Sequence, residues 1–290
     1  MTGRSRAGLG TAWGLAFALA IAGTCAFTGT AAGAERTAFK VCADAHYLPW
    51  SNDRQEGFEN RIAALLAGEL GLPVEYTWFP QRMGFIRNTL RGRGEDGTYK
   101  CDVVMGLPQG FELATTTDPY YWSTYALVFV EGRGLDAVRT PTDLLTLDPA
   151  QREALRFGLA ERNPGTLWLA KYGLLDRLTN AYASQHGDPN VQPGQLEQED
   201  LLAGTIDLTF MWGPIAGHFV RSNPDIPIRV IPMESEADLR LHFGISVGVR
   251  FGEPDWKAEL QALLDANAAA IESILREHSV PLVDGNGRLL

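Results

Sequence analysis

The 290-residue sequence carries 35 acidic against 25 basic side chains, a formal net charge of -10, and 45% of its residues are hydrophobic. That acidity argues against nucleic acid as a partner, because phosphate backbones attract Lys and Arg, whereas it tolerates a basic protein. The length suits one large domain or two small ones.

Arg4 and Arg6 form a basic start, and Ala12 to Phe27 is an uncharged apolar run. Small residues ending in Ala32-Gly33-Ala34 follow. This is the pattern of a secretory signal peptide over residues 1–34, cleaved before Glu35. A membrane anchor is disfavoured, because the run falls short of the ~20 residues needed to cross a bilayer. Cys25 would suggest lipidation, but Thr24 precedes it where a lipobox takes Gly, Ala or Ser. No later segment is apolar enough over enough length to span a membrane, so the exported chain is expected to be soluble. Removing residues 1–34 discards two Arg and no acid, which moves the net charge from -10 to -12.

Of the three cysteines only Cys42 and Cys101 survive cleavage. In an oxidising compartment a lone pair of thiols suggests a disulfide. The alternative is two buried free thiols packed as small apolar groups. No CxxC and no Cys/His cluster suggests a metal site.

In chain order, Phe39 to Ala43 reads as a strand, followed by a polar loop through Ser51-Asn52-Asp53. Phe58, Ile62, Leu65, Leu66 and Leu70 recur at helical spacing, and Gly71 with Pro73 ends that helix. Val74 to Trp78 is the next strand, Met83 to Arg91 a second amphipathic helix, and Asp102 to Met105 a third strand. Gly92 to Lys100 is a glycine-rich surface loop. This β-α-β-α-β order implies a parallel sheet covered by helices on both faces.

A second unit of the same kind begins near residue 130. Arg156 to Ala160 is a strand, and Asn163-Pro164 supplies a cap and a favoured first residue for a helix carrying Leu167, Trp168 and Tyr172. Gly187 to Gly194 is a turn-rich loop, Glu197 to Ala203 a helix, and Ile206 to Phe210 a strand. Pro214 opens a helix and Ile228 to Ile231 is a strand. The chain returns through Phe243 to Val247 and ends in one long helix from Asp255 to about His278. Crossings near 126–130 and 240–245 imply a discontinuous first domain, with a cleft where the carboxyl ends of both sets of strands meet.

Several motifs resemble the periplasmic solute-binding proteins of the amino-acid-binding type. They are Tyr47-Leu48-Pro49-Trp50, Gly57-Phe58, Cys101-Asp102-Val103-Val104, Asp118-Pro119-Tyr120 and Gly204-Thr205-Ile206-Asp207. Longer runs are more specific: Val41-Cys42-Ala43-Asp44, Gly57-Phe58-Glu59-Asn60, the ten residues from Tyr76 to Phe85, and Cys101 to Gly106. These are similar to the MoxJ/XoxJ-like proteins associated with quinoprotein (PQQ-dependent) methanol and alcohol dehydrogenases. The resemblance implies an α/β fold of the periplasmic binding protein-like type II class, two α/β lobes with a central cleft and two crossover segments. It places lobe 1 at 35–127 plus 244–290 and lobe 2 at 128–243. It also sets Cys42 and Cys101 on neighbouring strands.

Amino-acid binders of this type clamp the ligand carboxylate with an Arg about ten residues before the Asp-Pro-Tyr segment. An Asp about five residues after the second-lobe Asp pairs with the ammonium. By count, these positions are Gly110 and Trp212, so both charged anchors are absent. A buried zwitterion without them would cost several kcal/mol per unmatched ion, which disfavours an ordinary amino acid. The resemblance then points to a cleft formed by Asp44, Tyr47, Trp50, Trp78, Arg82, Pro108, Tyr120, Tyr121, Asn163, Thr166 and Trp212. Its aromatic members could stack on an uncharged ligand or receive a side chain from a partner, or serve as packing. Asn163 to Thr166 could hold an anion on backbone N–H groups, or simply cap a helix.

The available acid–base groups are Asp44, His46, Asp118 and His218, and nothing in their spacing makes them converge. There is no Gly-x-Ser-x-Gly, phosphate loop or metal-ligand cluster. The chain is expected not to be an enzyme and to hold no cofactor. Two functions remain. One is a periplasmic accessory protein whose partner is a quinoprotein alcohol dehydrogenase. The other is the receptor of an ABC permease, binding a small aromatic or apolar molecule that is not an amino acid.

Overall fold

The computed structural model describes residues 36–183 and 188–290; the expected signal peptide lies outside the described residues, as does Gly187 at the start of the turn-rich loop. Strand β1 (Phe39–Ala43) leads into a small hairpin of β2 (His46–Tyr47) and β3 (Ser51–Asn52), followed by helix α1 (Phe58–Glu69). Next come β4 (Val74–Trp78), α2 (Phe85–Asn88), β5 (Val103–Pro108), β6 (Thr115–Thr116) and the long β7 (Tyr121–Val130). The second half runs α3 (Pro149–Ala154), β8 (Phe157–Ala160), α4 (Gly165–Lys171), β9 (Leu178–Tyr182), α5 (Gln195–Ala203) and β10 (Leu208–Trp212). It finishes with α6 (Gly213–Ser222), β11 (Ile228–Pro232), β12 (His242–Val249), α7 (Pro254–Ala266) and α8 (Ala268–Glu277).

The strands hydrogen-bond in the order β4-β1-β5-β12-β7-β10-β8-β9, with β11 on β7 and β6 on β12. β1 is parallel to both β4 and β5, and β8 is parallel to both β9 and β10. These are the two expected α/β units. They are joined by β7, which pairs with β12 through residues 121–124 and with β10 through residues 125–129.

Burial on both faces explains why the strands are apolar almost without a break. In β1, Phe39, Val41 and Ala43 face a core built with Phe58, Ile62, Leu66, Val247, Trp256 and Leu260, while Cys42 faces the opposite side with Phe85, Leu90 and Leu107. In β10, Leu208 and Phe210 join Phe129, Phe157 and Trp168, while Met211 joins Val128, Leu201 and Phe219. The two thiols are bridged: Cys42 and Cys101 form a disulfide with their Cα atoms 5.4 Å apart.

Three elements differ from their sequence expectation. The helix expected over 83–91 is a single turn, because Asn88 Nδ2 and Thr89 Oγ1 donate to the carbonyls of Gly84 and Phe85 and compete with helical propagation. The expected 255–278 helix breaks at Asn267 (φ -110°, ψ 14°), whose amide donates back to the Leu263 carbonyl. The strand expected over 206–210 lies two residues later, at 208–212, since Asp207 is held in the preceding loop by Arg156. That shift places Trp212 at the strand's carboxyl end.

Candidate functional site

A cleft of about 640 Å³ opens where the carboxyl ends of β1, β5, β8 and β10 meet, the crevice position favoured in α/β folds. Asp44, Tyr47, Trp50, Arg82, Pro108, Asn163 and Trp212 all line it.

The floor on the first lobe is built by the loop after β1. Asp44 accepts hydrogen bonds from the backbone N–H of His46 (2.9 Å) and of Gln81 (2.6 Å), so its carboxylate pins the hairpin to the segment after β4. The Asp44 carbonyl accepts from Ser51 Oγ at 2.8 Å. Thus held, Tyr47 and Trp50 stack with centroids 4.8 Å apart. Gly57 lets this loop press against the start of α1, since a Cβ there would lie 2.1 Å from the Trp50 carbonyl oxygen. On the second lobe, Trp212 packs against Tyr125 (5.3 Å) and Phe243 (6.0 Å), both of which also line the cleft. A hydrogen bond spans the opening: Gln192 Oε1, in the turn-rich loop, accepts from Leu48 N–H at 3.0 Å.

Four expected residues do not line the cleft. Alternation along edge strand β4 puts Tyr76 and Trp78 on one face, where they stack at 4.5 Å. Tyr121 starts the central strand β7 and is buried edge-on against Phe58, with Tyr120 packed on it at 5.0 Å. Thr166 lies inside α4. The start of that helix is internally satisfied, with Asn163 Oδ1 accepting from Gly165 N–H (2.8 Å) and the Asn163 carbonyl from Thr166 N–H. Asn163 Nδ2 also donates to the Phe210 carbonyl, so this residue ties β8 to β10 just ahead of a seven-residue helix whose N-cap is Pro164. Of the acid–base groups, Asp44 and His46 line the cleft, whereas Asp118 and His218 lie elsewhere.

Sequence reasoning passed over Glu59 and Glu197, two buried acids facing the cleft. The signal was present. Glu59 shares the buried stripe of α1 with Ile62, Ala63 and Leu66, and Glu197 shares that of α5 with Leu201. Gly106 makes room for Glu59: with φ at 71°, it brings backbone where a Cβ would sit 2.3 Å from Glu59 Oε1.

Burial pushes the Glu59 carboxyl up to about 8, against the opposing hydrogen bond from Tyr120 OH (3.3 Å). Burial raises Glu197 as well. A carboxyl whose pKa is higher in the folded than in the unfolded chain binds more protons when folded, so its contribution weakens as pH climbs from the unfolded value near 4.5 to about 8. Glu59→Gln is therefore expected to stabilise the fold at pH 8 by roughly 2–3 kcal/mol and to have little effect at pH 4. Urea unfolding of both proteins at both pH values checks this; a stabilisation over wild type no larger at pH 8 than at pH 4 would contradict it.

No family model matches the sequence. The chain is 28% identical to Protein MoxJ of Paracoccus denitrificans over 265 residues, covering 86% of this chain and 91% of that protein. It is 31% identical to the crystal structure of the periplasmic binding protein XoxJ from Methylobacterium extorquens AM1, with a TM-score of 0.64, over 84% of this chain and 99% of that one. The crystal structure of MxaJ from Methlophaga aminisulfidivorans MPT matches 84% of this chain and 100% of its own at 25% identity, with a TM-score of 0.68.

Proposed function

The chain belongs to the MoxJ/XoxJ family of periplasmic binding proteins, and from that premise we propose that it is a periplasmic accessory protein of a PQQ-dependent methanol or alcohol dehydrogenase. In this reading it is exported by its N-terminal segment, and its lobes divide at 127/128 and 243/244. It assists activation, folding or cofactor loading by receiving a segment of the enzyme between the lobes.

The observation that carries the reading is the composition of the cleft. By sequence count Gly110 and Trp212 fall where amino-acid binders place their charged anchors; Trp212 lines the cleft, Gly110 does not, and the rings of Tyr47, Trp50, Tyr125 and Phe243 line the opening with Trp212. Aromatic side chains in a concave site are the usual anchors of protein recognition. A permease receptor is the second reading, favoured by a volume within the range of small-molecule sites.

Affinity capture of the purified dehydrogenase, in apo and holo forms, tests the first reading. Retention of either form supports it, and retention of neither sinks it. A co-purifying compound in native mass spectrometry would favour the second. Trp212→Ala is expected to weaken capture at least about tenfold, as loss of an interface Trp commonly does. Because Trp212 is only partly buried, the substitution should cost less than the roughly 3–5 kcal/mol of a core Trp. Equilibrium unfolding of the variant checks the second half of that statement.

A further inference from the structure

Away from the cleft, the loop after α2 and the exit of β12 form a basic surface on an acidic chain. Residues 82–100 hold Arg82, Arg87, Arg91, Arg93 and Lys100 against Glu95 and Asp96, in a sequence whose formal net charge is -10. Arg87, Arg91 and Arg93 are exposed, and none of them forms an ion pair with a described residue.

Two of these arginines are nonetheless held in place. The Arg91 guanidinium lies 5.3 Å from the centroid of the Phe251 ring and donates to the Leu113 carbonyl at 2.7 Å. The Arg93 guanidinium lies 4.0 Å from the Tyr99 ring centroid and donates to the Gly97 carbonyl at 2.5 Å. Buried Arg250 joins the two clusters into one surface. It precedes Phe251 in sequence, donates to the carbonyl of Leu90, which precedes Arg91, and lies 4.0 Å from the same Tyr99 ring. Phe251 is 58% and Leu113 48% exposed, so this surface is apolar as well as basic.

Folding does not require this combination. Gly252, with φ at 85°, makes the turn after β12, and a polar residue would serve before it as well as Phe251 does. An arginine fixed on a ring and a carbonyl keeps its remaining N–H donors for a ligand and has already lost part of its rotamer freedom. Exposed apolar side chains beside guanidinium groups and an aromatic ring have the composition of a protein-binding hot spot. The unpaired cations set the sign of what covers it, because carboxylates match the guanidinium fork in both charge and geometry. The neighbouring acids do not cancel that sign: Asp102 and Glu253 are engaged by Arg250, and Asp96 accepts from Thr98, which leaves Glu95 and Glu112.

We propose that Arg91, Arg93, Tyr99, Leu113 and Phe251 form a docking surface for an acidic polypeptide segment that carries an apolar side chain. The apolar side chain packs on Phe251 and Leu113, and flanking carboxylates pair with Arg91 and Arg93. β12 runs antiparallel to β5, so its exit stands beside the start of β5, whereas the cleft gathers the end of that strand. None of the five residues lines the cleft, and the surface is independent of whatever enters it.

Proton–nitrogen correlation NMR of the mature protein provides the test. The probes are the peptide acetyl-Asp-Phe-Glu-Leu-Asp-amide and its neutral counterpart acetyl-Asn-Phe-Gln-Leu-Asn-amide. Saturable shifts are expected at the amides of Arg91, Arg93, Tyr99, Leu113 and Phe251, with the neutral peptide at least about tenfold weaker. Added salt should weaken the acidic peptide. Phe251→Ser and Arg91→Gln should each weaken it by about fivefold or more while the rest of the spectrum keeps its native dispersion. Equal binding of the two peptides, shifts confined to other residues, or no saturable shift at millimolar peptide would overturn the proposal. Self-association in sedimentation, or adsorption to phosphatidylglycerol vesicles, that Phe251→Ser abolishes would also overturn it, since the surface would then serve a second copy or a membrane. These titrations contain no dehydrogenase and read residues outside the cleft, so their failure is distinct from a failure of capture.

Discussion

Arg250→Ala is expected to lower the unfolding free energy by about 3–5 kcal/mol, because it strips a buried charge network of its centre. Arg250 is 7% exposed at the exit of β12. Its guanidinium donates to Asp102 Oδ1 (2.6 Å), Glu253 Oε1 (2.8 Å) and the carbonyls of Leu90 and Cys101, and it lies 4.0 Å from the Tyr99 ring centroid. Without it, among the described residues Asp102 keeps only the looser Arg36 ion pair at 3.5 Å, and two carbonyls lose their charged donor. Arg250→Lys retains the charge but not the planar fork, so an intermediate loss is expected. Urea unfolding of both variants checks the ordering; a loss below 1 kcal/mol for Arg250→Ala would show that solvent replaces the network.

Replacing both Cys42 and Cys101 with Ala is expected to cost about 4 kcal/mol, the loop-closure entropy of a bridge spanning 59 residues. The location adds weight to that figure. β1 and β5 are matched at only two register positions, Val41 with Val103 and Cys42 with Val104, so the bridge fastens a thin seam of the sheet. That seam lies beneath the cleft, which Cys42 itself lines. Unfolding of the oxidised wild type against the double variant measures the effect. An unchanged midpoint with native circular dichroism would contradict it.

The two α/β units were legible because strands buried on both faces read as apolar runs, and helices such as α1 carry a clean 3.6-residue stripe. Of the residues at strand carboxyl ends, Pro108 and Trp212 line the cleft, whereas Trp78 at the end of β4 does not. Local competition was harder to read. Asn267, Asn88 and Thr89 stand where their helices end and make side-chain bonds to nearby carbonyls, which periodicity does not weigh. Trp78 was misplaced because its aromatic character was given more weight than its alternation with Tyr76 on an edge strand. Arg250 was invisible in principle: its partners Leu90 and Asp102 lie 160 and 148 residues away in sequence. Glu59 was legible and overlooked, since an acid on the apolar stripe of a helix is itself a signal.

The proposed role requires that the inter-lobe cleft receive the dehydrogenase. The most direct measurement is a binding titration of immobilised quinoprotein dehydrogenase, apo and holo, with the mature protein and with Trp212→Ala. Saturable binding by the wild type and at least about tenfold weaker binding by the variant are expected. Absence of binding, or equal binding by a correctly folded Trp212→Ala, would contradict it.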